Sequence, residues 1–597
     1  MFCFLGYSDG LAALGAPPDE TDFFDNDDYV GTMKHHLTPL AAAAALTLLL
    51  AACAAPSTPP TTPVDINLVA LNDFHGNLDR SKFTYTSVAG TERKTVQAGG
   101  IDTLSGALKA WRREDAQLIF VGNGDLVGAS PAMSALWADE PSIVAMNMLG
   151  MKASSVGNHE FDQGKAELLR QQRGGCESSR ADKACKFTPD FKGASYTYMA
   201  ANVIDTQTGK SLLPAYRIEE AHGVKVGLIG AVLKDTPSVV TAAGIAGLQF
   251  GDEADAINAT LPQLRAQGVG VFVVLLHQGG ETVEAVDQPD CSHLKGEVVD
   301  VVKRLDPAIQ LVVSGHSHQG YLCRVDGRLV TQAQMGGHML TRIKLKVDPV
   351  KNALIDASAH NVVMLPGMYE PDPAVAAYLE SVKQRSAQEL SRPVASIAVP
   401  NVGRSTKGSG ASALGDLVAD STLFGARAAG AQIGLMNNGG IRKDLEAGAD
   451  LMTNVGQNQA VVPFGNTLIV VSLSGAQIRT LLEQQWPGEE AGEGNLLQVS
   501  EGFTYRWDST RPQGQRVLPG SIMLNSIALE DNQQYRVAAN SFLAGGGDRF
   551  TVLAAGTRRL DTGVRDIDAF SAYLIARARA GKPAGSATAA GRIVRVK

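Results

Sequence analysis

The chain has 597 residues, too many for one ordinary hydrophobic core, and this length predicts two or more domains. Hydrophobic residues make up 44% of the sequence and charged residues 19%, which is the balance of a soluble globular protein. The formal net charge of -8 comes largely from seven acidic residues within positions 1–32, so the rest of the chain is nearly neutral. Such a chain lacks the basic field that binding to a nucleic acid polymer requires.

Residues 33–53 have the pattern of a secretory signal. From Met33 the sequence reads MKHHLTPLAAAAALTLLLAAC, which is a cationic start, an apolar run and small residues before Cys53. The run is too short and too rich in alanine to be a preferred membrane span. Residues 1–32 are acidic where a leader should be basic, so we expect translation to begin at Met33 and positions 1–32 to be untranslated or disordered.

The end of this signal, LAAC at positions 50–53, resembles the bacterial lipobox, in which the cysteine receives lipid after cleavage. A Pro/Thr-rich tether follows at once over positions 54–64, as expected behind a lipid anchor. We therefore expect an exported protein of the cell envelope or periplasm, anchored to a bacterial membrane through lipid on Cys53. The alternative is an ordinary signal peptide that contains a cysteine.

Short apolar runs rich in β-branched residues recur after the tether, and each ends in polar residues. Helix-like segments such as GGIDTLSGALKAWRRE and PSIVAMNMLG lie between several of them. This alternation predicts strands buried on both faces in an α/β layered core. In open α/β sheets, functional sites gather at the carboxyl ends of strands. The runs are INLVALNDFHGN, QLIFVGNGDLVG, KVGLIGAV, VFVVLLHQGG and IQLVVSGHSH.

Four cysteines follow the signal, an even number in a compartment that favours disulfides. Cys176 and Cys185 bracket the polar loop CESSRADKAC and would close it locally. Three pairings are open, and we predict Cys176–Cys185 and Cys291–Cys323. The alternative is free buried thiols.

Seven side chains suited to divalent metals lie at the ends of the apolar runs. Taken singly, each has a structural explanation as a turn residue, a buried histidine with a hydrogen-bond partner or a helix cap. Five such sequences in order at successive strand ends are explained together by one shared site. Seven ligands are too many for one tetrahedral ion and suffice for two. The residues are Asp73, His75, Asp125, Asn158, His277, His316 and His318.

The order D-x-H, G-D, G-N-H-E, H and G-H-x-H resembles the calcineurin-like metallophosphoesterases. The longer forms NDFHGN, GNHEFD and GHSH resemble the 5′-nucleotidase family, which includes bacterial periplasmic UDP-sugar hydrolases and 2′,3′-cyclic-nucleotide phosphodiesterases. The resemblance spans about residues 65 to 597. It implies a four-layer α/β/β/α catalytic domain with two divalent ions, which could be Zn, Mn or Co.

The resemblance also implies how the ligands divide between the two ions. One ion takes Asp73, His75 and His318, and Asp125 bridges to the other. Some family members have Gln in place of His318, a change that should alter metal preference. The second ion takes Asn158, His277 and His316.

His159 and Asp162 lie beside these ligands in GNHEFD. Two cations polarise a phosphate and lower the pKa of a bridging water, which attacks phosphorus. His159 would stabilise the developing charge or protonate the leaving oxygen, and Asp162 would orient it and favour its charged form. The resemblance assigns the same roles to this pair. Helix capping by Asn158 with an acid in the first turn is the structural alternative, and both can hold together.

Near residue 366 the sequence changes to the charged helical pattern DPAVAAYLESVKQRSAQEL, which predicts a linker helix. A second unit with its own strands follows from about residue 392. We predict a catalytic domain at 65–365, a linker helix and hinge at 366–391, and a smaller α+β substrate-binding domain at 392–597. The predicted strands of the second unit are AQIGLMNNGG, NTLIVVSLSG and QYRVAANSF.

Five residues of the second unit suit a nucleotide. Two aromatic rings would sandwich a base, an acid would accept hydrogen bonds from ribose hydroxyls, and an arginine would hold phosphate. Alone, a Phe near Gly is more often a packing residue, but the resemblance to the family's substrate domain implies the binding role. The residues are Asn437, Arg442, Phe464, Phe542 and Asp548.

The stretch GSGASALGDLVAD departs from relatives that have a further phosphate-binding arginine nearby. Arg404 is the candidate substitute in this chain.

The sequence therefore predicts an exported dimetal phosphohydrolase that releases phosphate from 5′-nucleotides such as AMP, with UDP-sugars or 2′,3′-cyclic nucleotides as further substrates. Rotation of the second domain about the linker would gate turnover. One alternative is a thiosulfohydrolase of the same two-domain plan. The other is a surface lipoprotein that binds nucleotide or metal without turnover.

Overall fold

A computed structural model describes residues 61–88, 90–406, 408–488 and 494–597. The expected leader at 1–32, the signal at 33–53 with Cys53, and most of the 54–64 tether lie outside this range. Within the described ranges, every helix is too short or too polar to cross a bilayer.

Five strands of the first lobe coincide with the five apolar runs of the sequence. All five runs with polar ends form strands, so that part of the prediction is confirmed. In chain order the strands are β1 Val64–Leu71, β2 Arg80–Ser87, β3 Gly90–Gly99, β4 Ile119–Asn123, β5 Ala153–Ser155, β6 Thr197–Met199, β7 Val203–Asp205, β8 Lys210–Ser211, β9 Tyr216–Ala221, β10 Val224–Val232, β11 Leu248–Phe250, β12 Val271–His277, β13 Leu311–Ser314, β14 Gly320–Val325, β15 Arg328–Ala333, β16 Met339–Asp348 and β17 Ala353–Val363.

The helices of the first lobe lie between these strands, and the two predicted from sequence are present. In chain order the helices are α1 Ile101–Glu114, α2 Ala132–Ala135, α3 Glu140–Met148, α4 Gly164–Arg173, α5 Thr236–Val239, α6 Glu253–Ala266, α7 Glu297–Lys303 and α8 Pro373–Leu390.

Two six-stranded sheets form the centre of the first lobe. Their orders are β17-β16-β1-β4-β5-β6 and β14-β15-β13-β12-β10-β9. Within the first sheet, β1, β4, β5 and β6 run parallel, and within the second, β10, β12, β13 and β15 do. Parallel neighbours of this kind bring their carboxyl ends to one edge.

Alternating side chains fill separate layers on the two faces of each sheet. In β1, Ile66 and Leu68 pack between the sheets, whereas Val69 and Leu71 pack against α1, α3 and α8. Helices α6 and α7 cover the outer face of the second sheet. The result is the α/β/β/α order of layers that the resemblance to the family implies.

Both predicted disulfides are present, Cys176–Cys185 and Cys291–Cys323. The first closes the polar loop at residues 176–185. The second joins the segment before α7 to strand β14.

Helix α8 lies within the predicted linker. Asp372 caps its first turn by accepting hydrogen bonds from the backbone N–H groups of Ala374 and Val375, and Pro373 takes the first helical position. Its apolar face packs on the first lobe through Val375, Leu379 and Val382. A hinge in this segment stays a prediction.

The second lobe is built on a mixed five-stranded sheet of order β24-β20-β28-β23-β29 with helices against it, an α+β arrangement as predicted. Its strands are β18 Pro393–Ser396, β19 Asn401–Val402, β20 Ile433–Asn437, β21 Leu445–Glu446, β22 Met452–Asn454, β23 Thr467–Ser474, β24 Leu497–Val499, β25 Phe503–Trp507, β26 Met523–Leu524, β27 Ile527–Ala528, β28 Gln534–Asn540, β29 Thr557–Arg565 and β30 Ile593–Arg595. Its helices are α9 Ala413–Ala426, α10 Val455–Val461, α11 Gly475–Glu483, α12 Ser541–Ala544, α13 Thr551–Ala554 and α14 Asp566–Arg579.

Candidate metal centre and substrate cleft

The seven predicted ligands meet at one edge of the first lobe, at the carboxyl ends of parallel strands. Asp73 and His75 follow β1, Asp125 follows β4 and Asn158 follows β5. The remaining three come from the second sheet, since His277 ends β12 while His316 and His318 follow β13. Ligands from both sheets thus converge because both sheets present strand ends there.

Backbone geometry fixes these loops. Five ligands have positive φ angles, which are uncommon outside glycine and accumulate at functional sites. Hydrogen bonds then join the loops: the backbone N–H of Asp73 donates to the carbonyl of Gly124 at 3.1 Å, and that of His75 to the carbonyl of Asp125 at 2.8 Å. The five angles are 49° at Asp73, 46° at His75, 49° at Asp125, 69° at His316 and 54° at His318.

Gly124 is required by close approach as well as by conformation. Its φ is +75°, and a Cβ there would lie 2.5 Å from Nδ1 of His277 and 2.5 Å from the backbone nitrogen of Gly157. Any side chain would separate the loops that carry Asp125 and Asn158.

The donor atoms form two groups that share Asp125. In the first group, Asp73, His75, Asp125 and His318 each offer one donor atom within 4.8 Å of the others. Nε2 of His75 lies 3.0 Å from Nε2 of His318 and 3.7 Å from Oδ2 of Asp125. Oδ1 of Asp73 lies 3.6 Å from Nε2 of His318.

The second group contains Asp125, His277 and His316, again within 4.8 Å. Asn158 joins it, because its Oδ1 lies 2.9 Å from Nδ1 of His316. The side chain of Asn158 makes no capping hydrogen bond to the turn at His159–Phe161, so the helix-cap explanation for this residue is not realised. The same residues are grouped in the division that the resemblance to the family implies.

The donor set fits two divalent metal ions. Nε2 of His277 is fully buried without a hydrogen-bond partner in the described part of the chain, although Asp125 lies 3.2 Å away. Nδ1 of His75 and Nδ1 of His277 each contact a backbone carbonyl, of Gly128 at 2.9 Å and of Asn123 at 2.8 Å. These contacts direct both Nε2 lone pairs to the centre, as in protein metal sites. Imidazole and carboxylate are ligands that Zn, Mn and Co accept.

Burial sets the charge balance of the centre. It raises the pKa of the Asp73 carboxyl to about 7 and lowers the pKa of His75 to about 3. Burial also acts to lower the pKa of His277, but the Asp125 carboxylate outweighs it and raises that pKa to about 10. Groups that perturb one another so strongly are typical of a functional site.

His159 and Asp162 form the predicted pair, with Nδ1 of His159 2.8 Å from Oδ2 of Asp162. The backbone N–H of His159 also donates to Oδ1 of Asp125 at 2.9 Å. Burial acts to lower the pKa of His159, but Asp162 and Asp125 raise it to about 9, so the ring is charged at neutral pH. Its Nε2 has no protein partner among the described residues, and the ring lines the cleft.

Glu160 is a positioning residue that the sequence reasoning missed. Its fully buried carboxylate accepts four backbone N–H groups, from Gly157 at 2.6 Å, Asp125 at 2.9 Å, Leu126 at 2.8 Å and Val127 at 3.4 Å. It therefore ties the loop after β4 to the loop after β5. The sequence did contain a signal for this role, because Glu160 is an acidic residue two positions after a predicted ligand in a loop expected to be buried.

Asn72 has a similar role that the sequence did not reveal. Its Nδ2 donates to Oδ2 of Asp73 at 2.6 Å, and its Oδ1 accepts from the backbone N–H of Ala333 at 2.8 Å. The amide thereby fixes the orientation of the Asp73 carboxylate.

The five predicted residues of the second lobe line the same cavity as the metal centre. We call this cavity, of about 200 Å³, the substrate cleft. Nδ2 of Asn437 donates to Oδ2 of Asp548 at 2.7 Å, and the Arg442 guanidinium lies 5.9 Å from the ring centre of Phe464. Residues lining both lobes of the substrate cleft include Asp125, Asn158, His159, His316, His318, Asn437, Arg442, Phe464, Phe542 and Asp548.

Phe464 also contacts the first lobe directly. Its ring stacks on His159, with ring centres 5.7 Å apart and planes at 21°. Sequence reasoning assigned Phe464 to base binding alone and did not foresee this contact, which spans more than 300 positions of the chain.

Arg404 does not line the substrate cleft. Its guanidinium donates to the carbonyl of Ile441 at 2.6 Å, and its backbone N–H donates to Asp444. It lies near Arg442 and lowers the pKa of that residue together with burial, which is the larger cause. The residue supports the Arg442 turn in this structure.

Two family models match the chain. The calcineurin-like phosphoesterase model matches residues 66–320, and the model of the 5′-nucleotidase C-terminal domain matches residues 393–555. Together they cover both lobes.

Similar proteins include two curated relatives. The chain is 29% identical over 519 residues to "Endonuclease YhcR" of Bacillus subtilis, covering 87% of this chain and 40% of that protein. It is also 29% identical over 517 residues to "Cell wall protein Lmo0130" of Listeria monocytogenes, covering 82% of this chain and 64% of that protein. The chain thus spans less than two thirds of either relative.

Among solved structures, the 5′-nucleotidase precursor from Thermus thermophilus is similar in fold and sequence. It superposes with a TM-score of 0.70 at 26% identity and covers 89% of this chain and 100% of its own.

Proposed function

Because the chain belongs to the 5′-nucleotidase family, in which a calcineurin-like phosphoesterase domain precedes a 5′-nucleotidase C-terminal domain, we propose that it is a metal-dependent hydrolase that releases phosphate from 5′-nucleotides such as AMP. One observation carries this proposal: the metal-ligand groups and the five second-lobe residues line one cleft. A nucleotide would place its phosphate at the metal-ligand groups and its nucleoside at the five second-lobe residues.

Two divalent ions would be held by the donor groups that share Asp125. When bound, such ions act as Lewis acids toward phosphate and make a nucleophile available from water at neutral pH. Zn, Mn and Co all suit this donor set.

His159 would act on the phosphate itself. Its charged ring lines the substrate cleft beside Asp125 and Asn158, so Nε2–H can donate to a phosphoryl oxygen and stabilise charge that develops there. The same proton can pass to the leaving oxygen of the nucleoside. Asp162, bonded to Nδ1, keeps the ring charged and oriented.

The second lobe would hold the nucleoside. A base fits between Phe464 and Phe542, and the Asn437–Asp548 pair offers donors and acceptors to ribose hydroxyls. Arg442 would bind phosphate oxygens, since its guanidinium reaches the cleft from the turn after β20. The preferred substrate is a nucleoside monophosphate, a UDP-sugar or a 2′,3′-cyclic nucleotide. The protein groups that contact the substrate beyond its base decide among them.

The rival functions lack this support. A thiosulfohydrolase has no use for Phe542 and Asp548 arranged as a nucleoside pocket. A protein that binds without turnover would not need the buried His159–Asp162 pair beside a full set of metal ligands.

We also propose that the protein is exported and held to the membrane by lipid on Cys53. Two disulfides are consistent with an oxidising compartment. One relative is named as a cell wall protein.

A panel assay tests the proposed function. Purified protein loaded in turn with Mn, Co and Zn should release phosphate from AMP, and turnover should exceed that on p-nitrophenyl phosphate in kcat/KM. Binding of AMP without phosphate release under all three ions would favour the non-catalytic rival. Turnover of a thiosulfonate-bearing peptide in place of nucleotides would favour the thiosulfohydrolase.

A further inference from the structure

A second cavity of about 220 Å³ adjoins the substrate cleft. We call it the side cavity. It shares His159, Asp162, Gln163 and Phe464 with the substrate cleft, so the stacked rings of His159 and Phe464 stand where the two spaces meet. The side cavity is therefore adjacent to the place where a phosphate in the substrate cleft would meet His159.

The disulfide loop at residues 176–185 forms one side of the side cavity. It contributes Ser179, Arg180, Asp182 and Lys183 to the lining. The second lobe contributes Pro463, Phe464 and Arg565 to the same lining. The cavity is therefore complete only when the two lobes face each other, as the substrate cleft is.

The loop is held rigidly in this position. Arg180 pairs with Asp139 at 3.1 Å and with Glu167 at 2.8 Å. The hydroxyl of Ser178 donates to Glu167 at 2.7 Å, and the backbone N–H of Cys185 donates to Glu140 at 2.8 Å. Together with the Cys176–Cys185 disulfide, these bonds order the loop in advance, which lowers the entropic cost of binding a ligand.

Two side chains of the disulfide loop offer polar groups to a ligand. In the described part of the chain, neither the Lys183 ammonium nor the Asp182 carboxylate makes a hydrogen bond or ion pair, although Lys183 is half-buried. They are sequence neighbours that line the same space, so they present a donor beside an acceptor. Hydroxyl groups, which donate and accept, are the natural partners of such a pair.

The remaining charged groups of the lining are already compensated. Arg180 is paired with Asp139, Asp162 with His159, and Arg565 with Asp568 at 2.7 Å. The Glu160 carboxylate accepts hydrogen bonds from backbone N–H groups. A lining with balanced charge favours an uncharged polar ligand over an anion.

The two cavities differ in their apolar surfaces. The substrate cleft has the rings of both Phe464 and Phe542, which suit the two faces of a base. The side cavity has one phenylalanine ring, that of Phe464, and the smaller apolar side chains Pro463, Val127, Ala129 and Ala135; most of the remaining lining is polar. A single ring face beside hydrogen-bonding groups suits a sugar ring, which has a C–H face and hydroxyls at its edge.

We propose that the side cavity binds a sugar that a nucleotide substrate carries beyond its reacting phosphate, with Lys183 donating to and Asp182 accepting from the sugar hydroxyls. This inference rests on the proposed function, because the sugar reaches the side cavity only if the nucleotide occupies the substrate cleft. It makes the disulfide loop a determinant of substrate choice.

The test compares Lys183→Ala and Asp182→Ala with the wild type on UDP-glucose and on UMP. Loss of a hydrogen bond to a charged side chain should lower kcat/KM for UDP-glucose by roughly 10- to 100-fold, mainly through KM. UMP has no sugar beyond its phosphate, so its kcat/KM should stay within about twofold. Lys186→Ala is the matched control, since Lys186 is exposed on the same segment outside the side cavity and should leave both substrates unchanged.

The outcomes separate this inference from the proposed function. Equal losses on both substrates, or no loss on UDP-glucose, would overturn the sugar site. Turnover of UMP without any of UDP-glucose would overturn it too and leave the proposed function standing, whereas no turnover of UMP, UDP-glucose or AMP would refute both. A loss on a dinucleoside diphosphate but not on UDP-glucose would assign the side cavity to a second nucleoside instead.

Discussion

Two regions of the molecule are held in different ways: the edge of the first lobe that carries the seven predicted ligands, called the metal edge, and the five predicted substrate-binding residues of the second lobe. Five of the seven ligands have positive φ angles, and their loops are joined by backbone hydrogen bonds and by Glu160. In the described part of the chain, the five second-lobe residues are joined to one another by one hydrogen bond, Asn437–Asp548, and one long cation–ring contact. The groups proposed to perform the chemistry are thus joined to one another before substrate arrives, whereas those proposed to recognise the nucleoside have fewer contacts with one another.

Removing His159 should have the largest effect, because the proposed function makes it the side chain that acts on the reacting phosphate. His159→Ala should lower kcat on AMP by about 10² to 10⁴-fold. Metal content should stay near that of the wild type, since the ligands are untouched. His222→Ala is the control, because His222 pairs with Asp115 away from the cleft; if His159→Ala released phosphate as fast as this control, the role of the pair would be wrong.

Weakening the link between the loops after β4 and β5 should lower metal affinity more than it lowers the rate of the chemical step. Glu160→Gln removes a carboxylate that accepts four backbone N–H groups and brings an NH₂ toward them. We expect metal affinity to fall about 10- to 100-fold, with activity restored at high metal concentration. Titration of activity against metal gives the affinity. A variant that no metal concentration rescues, yet binds metal normally, would contradict a purely positioning role.

Within the second lobe, the two phenylalanines should behave differently. Phe542→Ala should raise KM for AMP about tenfold by removing one face of the base site and spare p-nitrophenyl phosphate. Phe464→Ala should affect both substrates, because Phe464 also stacks on His159. Steady-state kinetics on the two esters would show the split, and identical behaviour of the two variants would remove the distinction.

The smallest effect is expected at the ion pair between the lobes. Arg549 contacts Asp235 at 2.6 Å and Glu297 at 3.9 Å, but its side chain is 57% exposed. Exposed pairs contribute about 0–1 kcal/mol, so Arg549→Ala should change kcat/KM on AMP by less than about fivefold. Arg479→Ala, which breaks an exposed pair inside the second lobe, is the control. A tenfold loss specific to Arg549 would make this pair a determinant of lobe closure.

The sequence predicted most of the metal edge for a simple physical reason. Asp73, Asp125 and Asn158 directly follow buried strands, and parallel strands bring their ends to one edge. Five strands of the first lobe and three of the second follow from the pattern of apolar residues, which is local in the chain. The four-layer order was implied by the resemblance to the family.

Features that depend on distant contacts were not predicted. Glu160 binds N–H groups more than 30 positions away, and Phe464 meets His159 from the other lobe. The side cavity needs the disulfide loop and Pro463 together. Arg404 was a candidate phosphate ligand from its position in the chain, but its guanidinium is bound to the carbonyl of Ile441. Such contacts arise from packing between elements, which no local pattern encodes.

The central claim is that two divalent ions bind where the seven ligands converge. Elemental analysis of active protein, coupled to phosphate release from AMP before and after chelation, tests it most directly. We expect about two divalent ions per chain, loss of activity on chelation and recovery on adding Mn, Co or Zn. Full activity in protein without stoichiometric metal would contradict the account.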